Sequence, residues 1–145
     1  MRTFHFAELA VVLVAIAGVA GFSGCGSGGV KMHPVAGRIE IAQGDAKPLA
    51  GHTLEVVLDS DPAVRAAGQI QEDGSFQLET LQRGSVLKGA VEGKYKARIV
   101  LSDDDLKQRT AAAKAIPARY LQFEKSGLSL QVPAAENVAL KLLRR

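Results

Sequence analysis

Short runs of alternating apolar and polar residues recur along most of this chain, separated by glycine, proline and aspartate. The clearest run is Gly93 to Leu101, where Tyr95, Ala97 and Ile99 fall on one face and basic residues fall on the other. Because successive side chains of a strand point to opposite faces of a sheet, the pattern predicts strands with one buried face. Other runs that fit are residues 35–42, 53–59, 65–71, 75–80, 128–132 and 138–142. About seven short strands with turns every eight to twelve residues predict an antiparallel β-sandwich.

Two segments between the predicted strands carry signals of their own. Asp73-Gly74 supplies the positive φ angles that a tight turn requires, so a hairpin is expected there, followed by a strand with Phe76 and Leu78 inward. Asp103 to Lys114 breaks the alternation, with acidic residues first and alanine and lysine later. That order suits the helix dipole and predicts one short helix.

The first 24 residues have the parts of an export signal. Arg2 and the amino group supply a positive start, and Leu9 to Ala20 is uncharged and almost wholly apolar. About 12 residues at 1.5 Å each make a helix of roughly 18 Å, which is short of the ~30 Å hydrocarbon core of a bilayer. Residues 1–24 are therefore predicted to be a cleaved signal peptide rather than a transmembrane anchor.

The only cysteine of the chain, Cys25, directly follows Phe22, Ser23 and Gly24. This run resembles the lipobox of bacterial lipoproteins. The resemblance implies that Cys25 receives a diacylglyceryl group and becomes the first residue of the mature protein, and no other cofactor is predicted. The protein would then be extracytoplasmic and lipid-anchored to the cell membrane or the outer membrane. Secretion of a protein with a free thiol is the alternative.

The composition changes after the cysteine. Gly26 to Gly29 reads GSGG, which is typical of a flexible tether, so residues 25–31 are assigned to the lipidated cysteine and its tether. Residues 32–145 then amount to a single domain. Because an acylated Cys25 forms no disulfide, the hydrophobic core alone must hold this domain together.

Several short motifs occur in the order found in one domain family. They are Val35-x-Gly37-Arg38-Ile39, Lys47-Pro48-Leu49-Ala50-Gly51, Asp73-Gly74-Ser75-Phe76 and Gly93-Lys94-Tyr95-Lys96, followed by Ile116 to Tyr120 and Ser126 to Val132. Over residues 33–143 this order resembles the carboxypeptidase regulatory-like, or transthyretin-like, domain of small bacterial lipoproteins. The resemblance implies a seven-stranded antiparallel Greek-key β-sandwich that serves attachment and packing. It also implies no enzyme activity, because the chain lacks the C-terminal Tyr-Arg-Gly-Ser of the hydrolase branch of this fold, 5-hydroxyisourate hydrolase.

Three aspartates in predicted turns are candidates for an ion site. Asp59, Asp61 and Asp73 could meet at one end of the sandwich and offer carboxylate oxygens, which Ca²⁺ prefers. Aspartate is also ordinary in turns, which is the alternative interpretation. His33 and His52 show no recognisable ligand spacing and are expected as surface or strand-start residues, so no resident metal is predicted.

One predicted strand face is basic. Lys94, Lys96 and Arg98 share it, and the chain carries a formal net charge of +3. These side chains could contact an anionic polymer or lipid headgroups, and a merely solvated strand face is the alternative. Aromatic residues make up only 5% of the chain and no nucleic-acid recognition motif is present, so nucleic acid is not expected as a partner.

Two functions therefore follow from the sequence. The first is a membrane-anchored, non-catalytic structural or interaction module of the cell envelope, whose partners are envelope proteins or cell-wall glycan. The alternative is a small-ligand or Ca²⁺-binding lipoprotein that uses the three aspartates. Both membranes and any oligomeric state are compatible with the sequence.

Overall fold

The computed structural model describes residues 30–134 and 137–144, and this part of the chain is mostly β-structure. Its strands are β1 (Ala36–Ile41), β2 (Thr53–Leu58), β3 (Asp61–Gln69), β4 (Ser75–Gln77), β5 (Glu79–Gln82), β6 (Ser85–Lys88), β7 (Gly93–Val100), β8 (Leu128–Val132) and β9 (Val138–Leu142). Its helices are α1 (Leu106–Ala115) and the single turn α2 (Phe123–Ser126), with 3₁₀ segments at Lys47–Leu49 and Ala118–Leu121.

The strands form two sheets. The smaller one has the order β4-β1-β9, and the larger one has the order β6-β5-β3-β2-β7-β8. Apolar side chains from both sheets belong to one hydrophobic cluster, in which Ile39 and Phe76 of the small sheet and Leu54 and Tyr95 of the large sheet are 2% exposed or less. This arrangement is consistent with the expected all-β sandwich.

The alternation seen in the sequence is confirmed at the clearest strand. Tyr95 and Ala97 of β7 are fully buried and Ile99 is 1% exposed, while the basic residues between them point outward. Ile39 and Ile41 of β1 are likewise buried, with polar residues between them. Period-two patterning finds such strands because it reports directly on which face packs against the core.

The strand directions differ from the expectation at one point. β1 and β9 are parallel, with Gly37 opposite Val138 and Ile41 opposite Leu142, so the sandwich is not purely antiparallel. The alternation of β9 shows that one face is buried, but it carries no information on which neighbour the strand joins or in which direction. That pairing is set by tertiary structure.

The described residues contain nine strands rather than the seven expected. The predicted strand 75–80 divides at Leu78, whose N–H donates to the carbonyl of Val35 (2.9 Å) and whose carbonyl accepts from Gly89 (2.7 Å). The chain there crosses from the small sheet to the large one. β6 was not expected because its side chains are mostly exposed, so its sequence shows no buried face. The predicted strand 65–71 instead begins at Asp61, directly after a two-residue turn.

The Asp73-Gly74 turn has the predicted backbone conformation, but it does not connect two paired strands of one sheet. Gly74 has φ +82°, in the left-handed region that favours glycine. β3 before the turn lies in the large sheet, whereas β4 after it pairs with β1 in the small sheet. The turn is therefore a crossover between sheets and not a hairpin within one sheet.

The predicted helix is present and begins at Leu106, three residues later than expected. Asp105 is its N-cap, and its carboxylate accepts hydrogen bonds from the N–H groups of Lys107 (2.8 Å) and Gln108 (3.2 Å). Asp103 lies before the helix and forms an ion pair with Arg109. On the buried face, Ala112 is fully covered by the core.

Candidate functional site

A polar groove lies where the small sheet meets β3 of the large sheet. Its volume is about 850 Å³, which falls in the range of ligand-binding clefts. Its walls combine apolar surface at glycine, alanine, phenylalanine and valine positions with polar side chains, among them Thr53, Gln69, Gln71, Gln77, Glu79 and Asn137. Amide and hydroxyl groups offer both donors and acceptors, so the groove is suited chemically to an uncharged polar ligand or an extended polar chain.

Two glycines allow the strands to approach closely enough to form this groove. A Cβ atom at Gly68 of β3 would lie 2.9 Å from the carbonyl carbon of Gln77 in β4, and closer still to its oxygen. A Cβ atom at Gly37 of β1 would lie 2.6 Å from the ring of Phe76 and would also collide with the backbone of Val138. Only residues without a side chain fit at these two positions.

One ion pair stands at the rim of the groove. Arg38 contacts the carboxylate of Asp73 at 3.0 Å, and both side chains are more than half exposed. The hydroxyl and the N–H of Ser75 also donate to this carboxylate, at 2.6 and 2.9 Å. These hydrogen bonds from Ser75, with a smaller contribution from Arg38, lower the pKa of Asp73 below its usual value of 3.8. Asp73 is thus held as a carboxylate that organises the turn.

The three aspartates that were candidates for Ca²⁺ binding do not form a common site in the structure. Asp73 is engaged by Ser75 and Arg38, Asp61 accepts from the N–H of Ala63 (3.0 Å), and Asp59 lies 4.0 Å from the ammonium group of Lys96. Within residues 30–134 and 137–144, no group of three or more acidic, histidine or cysteine side chains is placed to hold a metal ion.

The basic strand face is largely neutralised by neighbouring groups. Lys96 contacts Glu124 at 3.1 Å, and Arg98 contacts Glu55 at 2.6 Å while its guanidinium lies 4.6 Å from the ring centre of Phe123. Lys94 is exposed, and its side chain has no ion pair within the described residues. The local pattern predicted a shared basic face correctly, but it gave no indication of the acidic partners on β2 and α2.

The histidines were expected as surface or strand-start residues. His52 directly precedes β2, as a strand-start residue does, but it is fully buried rather than on the surface. Its Nδ1 accepts a hydrogen bond from the N–H of Ser102 at 3.0 Å. His33 forms an isolated bridge with Ala90 through both backbone groups. The Nε2 atoms of both histidines are buried and have no hydrogen-bond partner among the described residues. The two side chains do not belong to any metal-holding group in that part of the chain.

The candidate lipidation site, Cys25, and the residues Phe22, Ser23 and Gly24 before it lie outside the described residues. Among the residues that are described, no helix is both long and apolar enough to cross a membrane. The sequence alone therefore carries the lipobox prediction.

No family model, curated protein or solved structure matches this chain. The polar groove was missed at the level of sequence because its walls come from strands far apart in the chain. The inward prediction for Phe76 and Leu78 leaves Gln77 on the outer face, but the groove forms only because β3 approaches β4 at Gly68 and β4 pairs with β1.

Proposed function

We propose that this protein is a lipid-anchored, extracytoplasmic, non-catalytic module of the cell envelope that binds a polar partner in its groove. Partners with the right chemistry are an envelope protein segment or a cell-wall glycan. The observation that carries the proposal is the groove of about 850 Å³, because its volume is that of a ligand-binding cleft and several polar side chains converge on it.

The anchor is supported by the lipobox-like run that ends at Cys25. Val30, the first described residue, follows Cys25 by five positions. Five residues span at most about 18 Å even when fully extended. A lipid on Cys25 would therefore hold the folded domain, and its groove, close to the bilayer surface.

The groove favours a polar partner of low charge. Its amides present paired donors and acceptors, and Arg38 at the rim already has Asp73 as its counter-ion. Glu40 and Glu79 are the acidic side chains of the lining, so an anionic ligand would meet repulsion there. Hydroxyl groups of a glycan or main-chain amides of a peptide satisfy these requirements.

We also propose that the domain belongs to the carboxypeptidase regulatory-like type, with Greek-key connections between its strands. The mostly β structure and its two sheets support this assignment. Two of the motifs that suggested it form regular structure: Asp73-Gly74-Ser75-Phe76 makes the turn into β4, and Gly93-Lys94-Tyr95-Lys96 begins β7. Domains of that type serve attachment, which agrees with a groove for a partner.

A photo-crosslinking experiment tests the groove directly. A photoreactive amino acid replaces Gln77, whose side chain lines the groove, in the full-length protein expressed in its own cells. The matched control position is Ser129, which is exposed on β8 in the other sheet. We expect a discrete crosslinked product from position 77 and none from position 129, and mass spectrometry of the product tells a protein partner from a glycan. Equal background from both positions would contradict the proposal.

The described residues give no support to the Ca²⁺-binding alternative. It needed Asp59, Asp61 and Asp73 to converge, and the structure engages each of them with a different protein group.

A further inference from the structure

The hairpin of β5 and β6 exposes apolar side chains at one edge of the large sheet. Leu81 and Val86 lie directly opposite each other on the two strands and are 72% and 63% exposed. The hairpin turns at Arg83 and Gly84, which have φ angles of +49° and +79°. β6 is the outermost strand of the large sheet, so no further strand of the described chain pairs with its outer edge. Two large, exposed apolar residues paired across a hairpin form an apolar surface that would be stabilised by contact with a protein or a membrane.

The chain enters the domain at the same place. Val30 and Met32 line a cleft of about 340 Å³ together with Val64 of β3 and Leu81 of β5. Val30 is itself 50% exposed. The apolar hairpin and the residue nearest to Cys25 in the described chain are therefore neighbours.

The sheet register shows which end of the domain this is. Ala67 pairs with Glu79, and because β3 and β5 are antiparallel the hairpin runs toward the end of the sheet where Asp61 lies. The helix α1 leaves from the other end, since Val100, the last residue of β7, pairs with Thr53.

Basic residues lie on the hairpin and on the segment that enters the domain. Arg83 stands at the tip of the hairpin, Lys88 pairs with Glu79 across the strands, and Lys31 follows Val30. The acidic residues of this region are Glu79, which faces Lys88, and Glu92 on the segment that leaves β6. Apolar residues flanked by cations are typical of a surface that rests at a membrane interface, where the cations meet headgroups.

We propose that the β5–β6 hairpin, through Leu81 and Val86, docks on the lipid bilayer to which Cys25 is anchored. This inference rests on the proposed lipid anchor. A chain of at most about 18 Å between Cys25 and Val30 keeps the hairpin end within reach of the bilayer. Docking would fix the orientation of the domain relative to the membrane, whereas a tether alone would leave the domain free to rotate.

Tryptophan fluorescence tests this docking, because the chain has no tryptophan of its own. Leu81→Trp is prepared in the full-length lipidated protein and reconstituted into vesicles with brominated acyl chains. Leu106→Trp is the matched control: Leu106 is 77% exposed at the start of α1, at the opposite end of the sheet. Thermal unfolding confirms that both variants fold.

We expect Leu81→Trp to show blue-shifted emission and to lose most of its intensity in brominated vesicles, while Leu106→Trp keeps its emission. If the protein floats with the vesicles and both variants are unquenched, the anchor stands and the docking is overturned. Concentration-dependent dimers with an unquenched Leu81→Trp would assign the hairpin to a second copy and also overturn it. If the protein does not float with vesicles, the lipid anchor itself fails and the docking fails with it.

Discussion

Gly68→Ala is expected to destabilise the fold, against the usual effect of this substitution. In a strand, alanine normally stabilises by about 0.4–1 kcal/mol because it restricts the unfolded chain. Here the new methyl group would collide with the carbonyl group of Gln77, which belongs to the backbone and is fixed by the pairing of β4 with β1. Overpacking of this kind costs about 1–3 kcal/mol, so the net loss should be about 1–2 kcal/mol.

Thermal unfolding followed by circular dichroism measures this loss in the full-length protein. For a domain of this size, the loss corresponds to a fall in Tm of roughly 4–8 °C. Gly44→Ala is the control, because its Cβ would lie 3.1 Å from a methyl group of the Ile41 side chain, which can shift, and it should change stability by less than about 1 kcal/mol. If Gly68→Ala is as stable as the wild type or more so, the close approach of β3 and β4 that shapes the groove is wrong.

Four further predictions concern single groups or ions. Hydrogen bonds from Ser75 lower the pKa of Asp73, so the stabilisation by its carboxylate is present above pH 3.8 and is lost as the pH falls through the lower folded-state pKa. The Tm of Asp73→Asn should therefore fall less steeply with acid than that of the wild type. Parallel plots of Tm against pH for the two proteins would refute this. Burial raises the pKa of Tyr95 above 10.0, so the stabilisation by its neutral hydroxyl is present below pH 10.0 and is lost as the pH rises through the higher folded-state pKa. Tyr95→Phe should therefore make Tm fall less steeply with pH in alkaline solution. The hydroxyl of Tyr120 accepts a hydrogen bond from the N–H of Leu143 at 2.8 Å. Tyr120→Phe should therefore lower the free energy of unfolding by about 0.5–1.5 kcal/mol and speed hydrogen exchange at the Leu143 amide. Unchanged exchange at that amide would contradict the hydrogen bond. Millimolar Ca²⁺ should leave Tm unchanged, because no described acidic group is placed to hold a metal, and a saturable rise would show otherwise.

The strands with one buried face could be predicted from the sequence because burial is a local property. In β7, Tyr95, Ala97 and Ile99 repeat at every second position and all face the core. The helix itself was also predicted, because acidic residues precede it along the chain, although the cap at Asp105 places its start three residues after Asp103. Local patterns report local geometry.

The features that were missed all depend on contacts between distant segments. Arg98 lies on a recognisable basic face, but its ion pair with Glu55 exists only because β2 and β7 pair in one register. β6 has no buried face and so leaves no alternation to read. The groove forms only where β4 pairs with β1, and the alternation of residues within β4 does not indicate which strand it pairs with.

The anchor is the central claim, and the mass of the intact mature protein tests it most directly. The protein is extracted from cell membranes and its mass is compared with that of Cys25→Ala. We predict a chain that begins at Cys25 and carries the mass of a diacylglyceryl group, with or without a further acyl chain, and we predict that Cys25→Ala is absent from the lipid-modified fraction. A protein that retains residues 1–24, or one with an unmodified thiol at Cys25, would contradict the account.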